Sequence, residues 1–304
     1  MTSVPQLPEH KLLESPNSRT IELGDWSITA RTNPISNAFE CTALQNSLGG
    51  MPLPEMTFGN NDLEIEHRKS GWKYSFDTES ALKGVKNGEL GEGDGPVKVG
   101  YADAWLQSRT GPTSALPMPK TVPTKPYDWT YTTIYPGHNI STASIEWQPA
   151  DPNNPAHAVN LAELSRQDPI LFFAEIPLFE DELHDNGASD LLTRVRVMPT
   201  CFFILSRFTL RVDNVLFRTY DTRIYHSFSS SPPLVVRETS GWEAPYDRVK
   251  RQLPKRDDLT PMTDSTWIAR VLSGMPSPVT QQEGAGTGWR GLGKKIEIAV
   301  LKST

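Results

Sequence analysis

A chain of 304 residues with a formal net charge of −6 is long enough to bury a substantial core, in one large domain or two. Its acidic balance argues against a general nucleic-acid binder. Two cysteines, Cys41 and Cys201, are too few for a disulfide framework or a cysteine-based zinc site and fit a reducing compartment.

Residues 1–17 read as a flexible N-terminal arm, without the basic start and apolar core of a secretory signal. Ile21 to Thr32 alternates as one strand, and Asn37 to Leu48 predicts a short helix before the Gly49-Gly50-Met51-Pro52 break. Leu63 to His67 and Trp72 to Phe76 predict strands joined at Lys69-Ser70-Gly71. A helix follows from Thr78, itself the expected N-cap. Residues 87–96 read as a Gly-rich acidic loop, 101–108 as a helix, and 109–124 as a mobile Pro/Thr/Ser insertion. Strands are expected near 129–135 and 144–147, and a helix from Asn160 to Arg166. Leu234 to Thr239 predicts a strand. Residues 253–304 are low in periodicity and read as a largely disordered tail, although Ile296, Ile298 and Val300 alternate. Removal of 272–304 is therefore expected to leave partner binding largely intact. Apolar runs stop at about five residues, far short of a membrane span.

Charge segregates sharply in the middle of the chain. Nine acids and one base lie between Asp151 and Asp190, and six arginines and two acids between Arg194 and Arg223. An acidic helix or turn that leads into an arginine-studded sheet suggests a protein-recognition surface. Leu192, Arg194, Arg196 and Met198 share one face of a strand, and Thr193, Val195 and Val197 the other. Cys201 to Val212 and Val215 to Tyr225 predict a hairpin closed by Asp213-Asn214, with Val212 facing Val215. In that register Ser206, Asp221, Arg223 and Tyr225 share the polar end of an otherwise apolar face. A buried Asp–Arg set must be paired. It reads either as a structural ion pair or as a pocket wall where Arg223 accepts a carboxylate. Arg207, Arg211 and Arg218 fall on the other face, read as solvated.

Further upstream, Tyr127, Trp129 and Tyr131 alternate behind Lys125-Pro126 and share one face if the segment is extended. Such aromatics suit an interface as well as a core. The run Gly288 to Lys295 fits GxxxxGK but has Lys295 where a magnesium-ligating Ser or Thr belongs. The acidic cluster around His184 matches a calcium loop poorly, and Ser80-Ala81-Leu82-Lys83 lacks its companion motifs. No catalytic residue, metal ligand or cofactor is assigned. His226 reads as a hydrogen-bonded structural histidine.

The runs FFAEIPLFEDELHDNG (172–187), RVRVMPTCFFILSRFTLRVDNVLFR (194–218) and DTRIYH (221–226) resemble the TIPRL family, the TOR-signalling-pathway-regulator-like proteins. LPEMTFGNNDLEIEH (53–67), Phe76 to Leu82 and KPYDWTYTT (125–133) add to the likeness, which spans roughly 18–252. The resemblance implies a non-catalytic cytoplasmic regulator, in TOR-linked signalling, that binds catalytic subunits of type 2A and related protein phosphatases. It implies a cleft for their C-terminal tail, and a further phosphatase regulatory subunit is a second conceivable partner. The residues expected at the tail are Asp221, Arg223, Tyr225, Ser206, Arg196, Tyr127, Trp129 and Lys125. A hydrolase using Asp221, Arg223, Tyr225 and His226, or a general adaptor without phosphatase affinity, are the alternatives. The expected fold is α+β, with one domain over 18–252. An antiparallel, hairpin-rich β-sheet core carries helices packed outside.

Overall fold

Alternation of buried and half-exposed residues in Trp26–Arg31 and Asp62–His67 puts one face of each strand against a core and leaves the other to water. The computed structural model describes residues 7–85, 130–141, 145–183, 185–275 and 293–301. Among these, strands form two antiparallel sheets. The first has six strands in the order β1 (His10–Ser15), β2 (Ser18–Leu23), β3 (Trp26–Arg31), β5 (Asp62–His67), β6 (Trp72–Asp77) and β7 (His138–Asn139). The second has eight: β4 (Met56–Thr57), β9 (Phe172–Asp181), β10 (Gly187–Val197), β11 (Cys201–Val212), β12 (Leu216–Ser227), β13 (Leu234–Pro245), β14 (Lys295–Val300) and β8 (Gln148–Pro149).

The sheets pack face to face over one apolar cluster. Ile28, Ile65, Trp72 and Phe76 come from the first, and Ile176, Val195, Phe202, Ile204 and Phe208 from the second. Trp26 meets both Phe202 and His226 across the gap, with ring centroids 4.9 and 4.4 Å apart. Among the described residues, apolar clusters cover the outer face of the larger sheet at its two ends. Helices α4 (Tyr246–Lys250) and α5 (Ser265–Ser273) pack Tyr246, Val249, Trp267, Ile268 and Leu272 around Phe217. At the other end Val159 and Leu164, flanking and within α3 (Leu161–Leu164), pack with Tyr225 and Val236. The fold class is α+β, as expected.

Local signals worked where the physics is local. Helix α1 (Ala38–Ser47) starts at Asn37 with a full capping box to Glu40. The 62–77 hairpin and the two faces of β10 form as expected. Helix α2 (Thr78–Lys83) is capped one residue earlier than expected, because the Asp77 carboxylate accepts the Ser80 N–H at 2.8 Å.

Several expectations are corrected. The single strand over 21–32 is a hairpin, β2–β3, turned at Gly24 with φ +56°. The N-terminal arm contributes β1. Of the strands expected near 129–135 and 144–147, the described residues form none; the short β7 and β8 follow instead. The tail supplies α5 and β14, and β14 lies between β13 and β8 with Ala299 and Leu301 buried. The helix expected over 101–108 and the 109–124 insertion lie outside the described residues.

The largest correction is one residue long. The β11–β12 loop has three residues, not two. Val215 N–H bonds to the Val212 carbonyl, Asn214 adopts φ 61°, and Val212 faces Leu216. Asparagine tolerates this left-handed conformation, which suits the three-residue hairpin. A slip of one residue turns every side chain of β12 to the opposite face relative to β11.

Candidate functional site

The observed register rewrites the outer face of the eight-stranded sheet as rungs that cross five or six strands. One rung runs Phe173, Arg196, Phe203, Tyr225, Val236, Ile298. The next runs Glu175, Arg194, Leu205, Arg223, Glu238, Ile296. A third runs Pro177, Leu192, Arg207, Asp221 and Ser240. Directly opposed side chains stand about 5 Å apart, so each rung is a row of touching neighbours.

An ion network joins the second and third rungs. Asp221, wholly buried, accepts two hydrogen bonds from Arg207, at 2.7 Å to Nε and 2.8 Å to Nη2. It takes a third from Arg223 Nη2 at 2.8 Å. Arg223 Nη1 donates to Glu238 at 2.6 Å, and the other Glu238 oxygen meets Lys294 Nζ at 2.6 Å. Burial works against the charge on Arg207, but the bonds and field of Asp221 outweigh it and its pKa rises. Arg223 is thus clamped between two buried acids while its own side chain stays 27% exposed. The guanidinium has five N–H donors, so these two bonds leave others for a ligand.

Around it the surface is mixed. Phe173 is 42% exposed, and Phe203 and Leu205 are half-buried. Arg196 is exposed and, among the described residues, pairs with no acid, whereas Arg194 binds Glu175 at 2.6 Å. Tyr225 lies one rung away from Arg223 in a concavity of about 710 Å³ between α3 and the β12–β13 turn, lined also by Asn160, Glu163, Arg166 and Ser229 to Ser231. The Tyr225 hydroxyl donates to Glu163. Burial, then that acid, raises its pKa.

The expected set is therefore brought together only in part. Asp221, Arg223, Tyr225 and Arg196 share the outer face. Ser206 does not: it points to the inter-sheet core and accepts from Thr193 Oγ1 at 2.9 Å. Arg207 and Arg218, read as solvated, are both buried and on opposite faces. Arg218 is inaccessible and bonds Glu243 at 2.7 Å and Thr132 at 3.0 Å. Arg211 pairs with Asp213 at 2.9 Å near the hairpin end. Lys125, Tyr127 and Trp129 lie outside the described residues. Their alternation partner Tyr131 has φ 51°, so the segment is not extended there, and its ring packs 6.3 Å from Phe179. Of the site's members, Arg207 is placed on the solvated face by the shifted register, and Glu238 is not singled out in the sequence. The alternation of Leu234 to Thr239 could have placed Glu238 once the register of β12 was known.

The hydrolase cluster does not assemble. His226 faces the inter-sheet core, where its Nδ1 lies 2.8 Å from the Leu234 carbonyl, while Asp221, Arg223 and Tyr225 face outward. Burial, partly offset by that carbonyl, holds the imidazole down at about 4. This matches a structural histidine.

Comparison with known proteins is decisive at the level of family. Residues 56–250 match the TIP41-like family. The chain belongs to the TIP41-like family. It is 38% identical over 264 residues to the "Type 2A phosphatase activator TIP41" of Saccharomyces cerevisiae, covering 83% of this chain and 71% of the relative. It is 39% identical over 204 residues to the "TIP41-like protein" of Homo sapiens, covering 67% and 69%. The "TIP41-like protein" of Dictyostelium discoideum is 33% identical over 276 residues, 90% and 93% of the two chains. The family match spans β4 to α4 and so includes Arg196, Arg207, Asp221, Arg223 and Glu238. It ends before α5 and β14.

Proposed function

We propose that this TIP41-like chain is a non-catalytic regulator that binds the catalytic subunit of type 2A and related protein phosphatases. It takes the subunit's C-terminal tail across the outer face of the eight-stranded sheet, in TOR-linked signalling in the cytoplasm. The names of the yeast relatives, type 2A phosphatase activators, support the partner class. The clamping of Arg223 carries the site. A terminal carboxylate calls for a fixed cation with planar donors, which arginine provides better than lysine. Asp221 and Glu238 fix that cation, and Leu205, Phe203 and Arg196 on its own and the adjoining rung supply apolar area and a second charge.

Titration with a peptide of the phosphatase C-terminal tail, free-acid or amidated, tests this. Arg223→Ala leaves Asp221 bonded to Arg207 and Glu238 bonded to Lys294, so the fold should survive. Loss of one partner of a desolvated charge pair costs about 2–5 kcal/mol, roughly 30-fold or more in affinity. The variant should weaken free-acid binding by that much and ignore amidation, which should weaken the wild type. Arg211→Ala, at the hairpin end, should do little. Wild-type affinity of a folded Arg223→Ala variant for both peptides would remove the site.

A further inference from the structure

A second basic feature lies where the family match ends, between α4 inside it and α5 beyond it. Helices α4 and α5 converge on a notch of about 360 Å³ lined by Arg248, Gln252, Arg270, Val271, Gly274 and Met275. Arg248 comes from α4 and Arg270 from the last turn of α5. Neither has an acid partner among the described residues. Val271 and Met275 are only partly buried where they pack on the α4–α5 cluster. From Arg248 to Arg256 the sequence holds five bases and no acid, before Asp257-Asp258, in a chain of net charge −6. The helix dipole favours an arginine near either C-terminus. It does not account for two of them lining one notch together with two partly uncovered apolar side chains.

We infer that this notch is a docking site for an acidic peptide segment of a partner protein. Glutamate or aspartate side chains pair with Arg248 and Arg270, and an aliphatic side chain covers Val271 and Met275. Complementary charge draws such a segment in, and the arginine forks hold carboxylates in a defined orientation. The apolar floor distinguishes it from a bare basic patch. The notch is separate from the Arg223 clamp. Arg207 Nη1 bonds to the Ser265 carbonyl at the start of α5, whereas the notch is lined by the last turn of that helix from Arg270 onward, about 8 Å or more further along its axis. The inference does not rest on the phosphatase reading.

The probe is a labelled octapeptide alternating glutamate and leucine, with both termini blocked so that no terminal carboxylate can reach Arg223. Fluorescence anisotropy with the full chain at low salt should show saturable binding. That binding should be lost toward about 1 M salt, where the screening length falls to about 3 Å. Arg248→Gln with Arg270→Gln should weaken it roughly tenfold or more. The equal-charge control Lys255→Gln with Arg256→Gln should change it little, and Arg223→Ala should leave it unchanged. A peptide alternating glutamine and leucine should not bind. Melting curves confirm that each variant folds. Equal weakening by the two double variants would reduce the site to diffuse charge. Undiminished binding to the Arg248/Arg270 variant, no binding by the wild type, or displacement of the probe by a uridine oligonucleotide would each overturn the assignment.

Discussion

Arg207 holds Asp221 through two hydrogen bonds, 2.7 and 2.8 Å long, between directly opposed positions of β11 and β12. This pair fixes one side of the Arg223 clamp, so the same contact serves both the interior of the sheet face and the surface proposed for the partner. It exists only in the register set by the three-residue hairpin loop.

Breaking the pair from one side should cost far more than removing it whole. Asp221→Ala strips the Arg207 charge, 8% exposed, of both its carboxylate hydrogen bonds and leaves Asp190 and Asp264 to act on it only through space. Such an uncompensated buried charge typically costs about 3–5 kcal/mol. Arg207→Met with Asp221→Leu removes both charges and should be markedly less destabilising than the sum of the single changes. Denaturant midpoints of the four proteins measure this, and additive losses would sink the argument.

Two groups with displaced pKa values should oppose each other in acid. His226 is held at about 4 by burial among Trp26, Phe202 and Phe228. Burial, then Glu180, pushes Asp190 up to about 7 against the pull of Arg194 and Arg207. Between about pH 4 and 6.5 the unfolded chain binds a proton on His226 that the folded chain refuses, so this group lowers stability as pH falls. Asp190 keeps its proton when folded and loses it when unfolded. Its contribution is present in acid and lost as pH rises from about 4 to 7. The two slopes offset near pH 5. Asp190→Asn should therefore unmask a fall in melting temperature from pH 7 to pH 5, and His226→Gln should tilt the profile the other way. Profiles parallel to the wild type in both variants would refute the pairing of effects.

Removal of 272–304 should damage the fold itself. Strand β14 pairs with β13 from Leu234 to Thr239 and buries Ile298, Ala299 and Leu301. Burying one large aliphatic side chain is worth about 1.5–3 kcal/mol, so the truncation forfeits several kcal/mol and exposes the edge of β13. Thermal melting should show a much lower or non-cooperative transition. Unchanged melting would mean that β14 contributes little to the sheet.

Sequence alone was informative where the deciding interactions span a few residues. Asn37 to Leu48 reads as a helix, and α1 forms there because Asn37 and Glu40 cap it within a single turn. The parity of Thr193, Val195 and Val197 identified the buried face of β10. The runs at 172–187 and 194–218 pointed to the right family before any coordinate. Asp221 and Arg223 were recognised as a pair that had to be satisfied, because buried charges must be.

What the sequence could not decide was partnership across distance. Asp213-Asn214 signals a hairpin, but whether Val215 belongs to the loop or to the strand is settled by packing on both neighbours. That one residue decides whether Asp221 faces Ser206 or Arg207. Glu163 reaches Tyr225 from 62 positions away, and Lys294 reaches Glu238 through the pairing of β14 with β13. The tail reads as disordered for the same reason: its strand is short and weakly patterned until β13 supplies the hydrogen bonds it lacks alone. Period and composition fix which face of each element avoids water. Only the closed sheets fix which charges meet there, because an isolated strand carries no record of its neighbour's register.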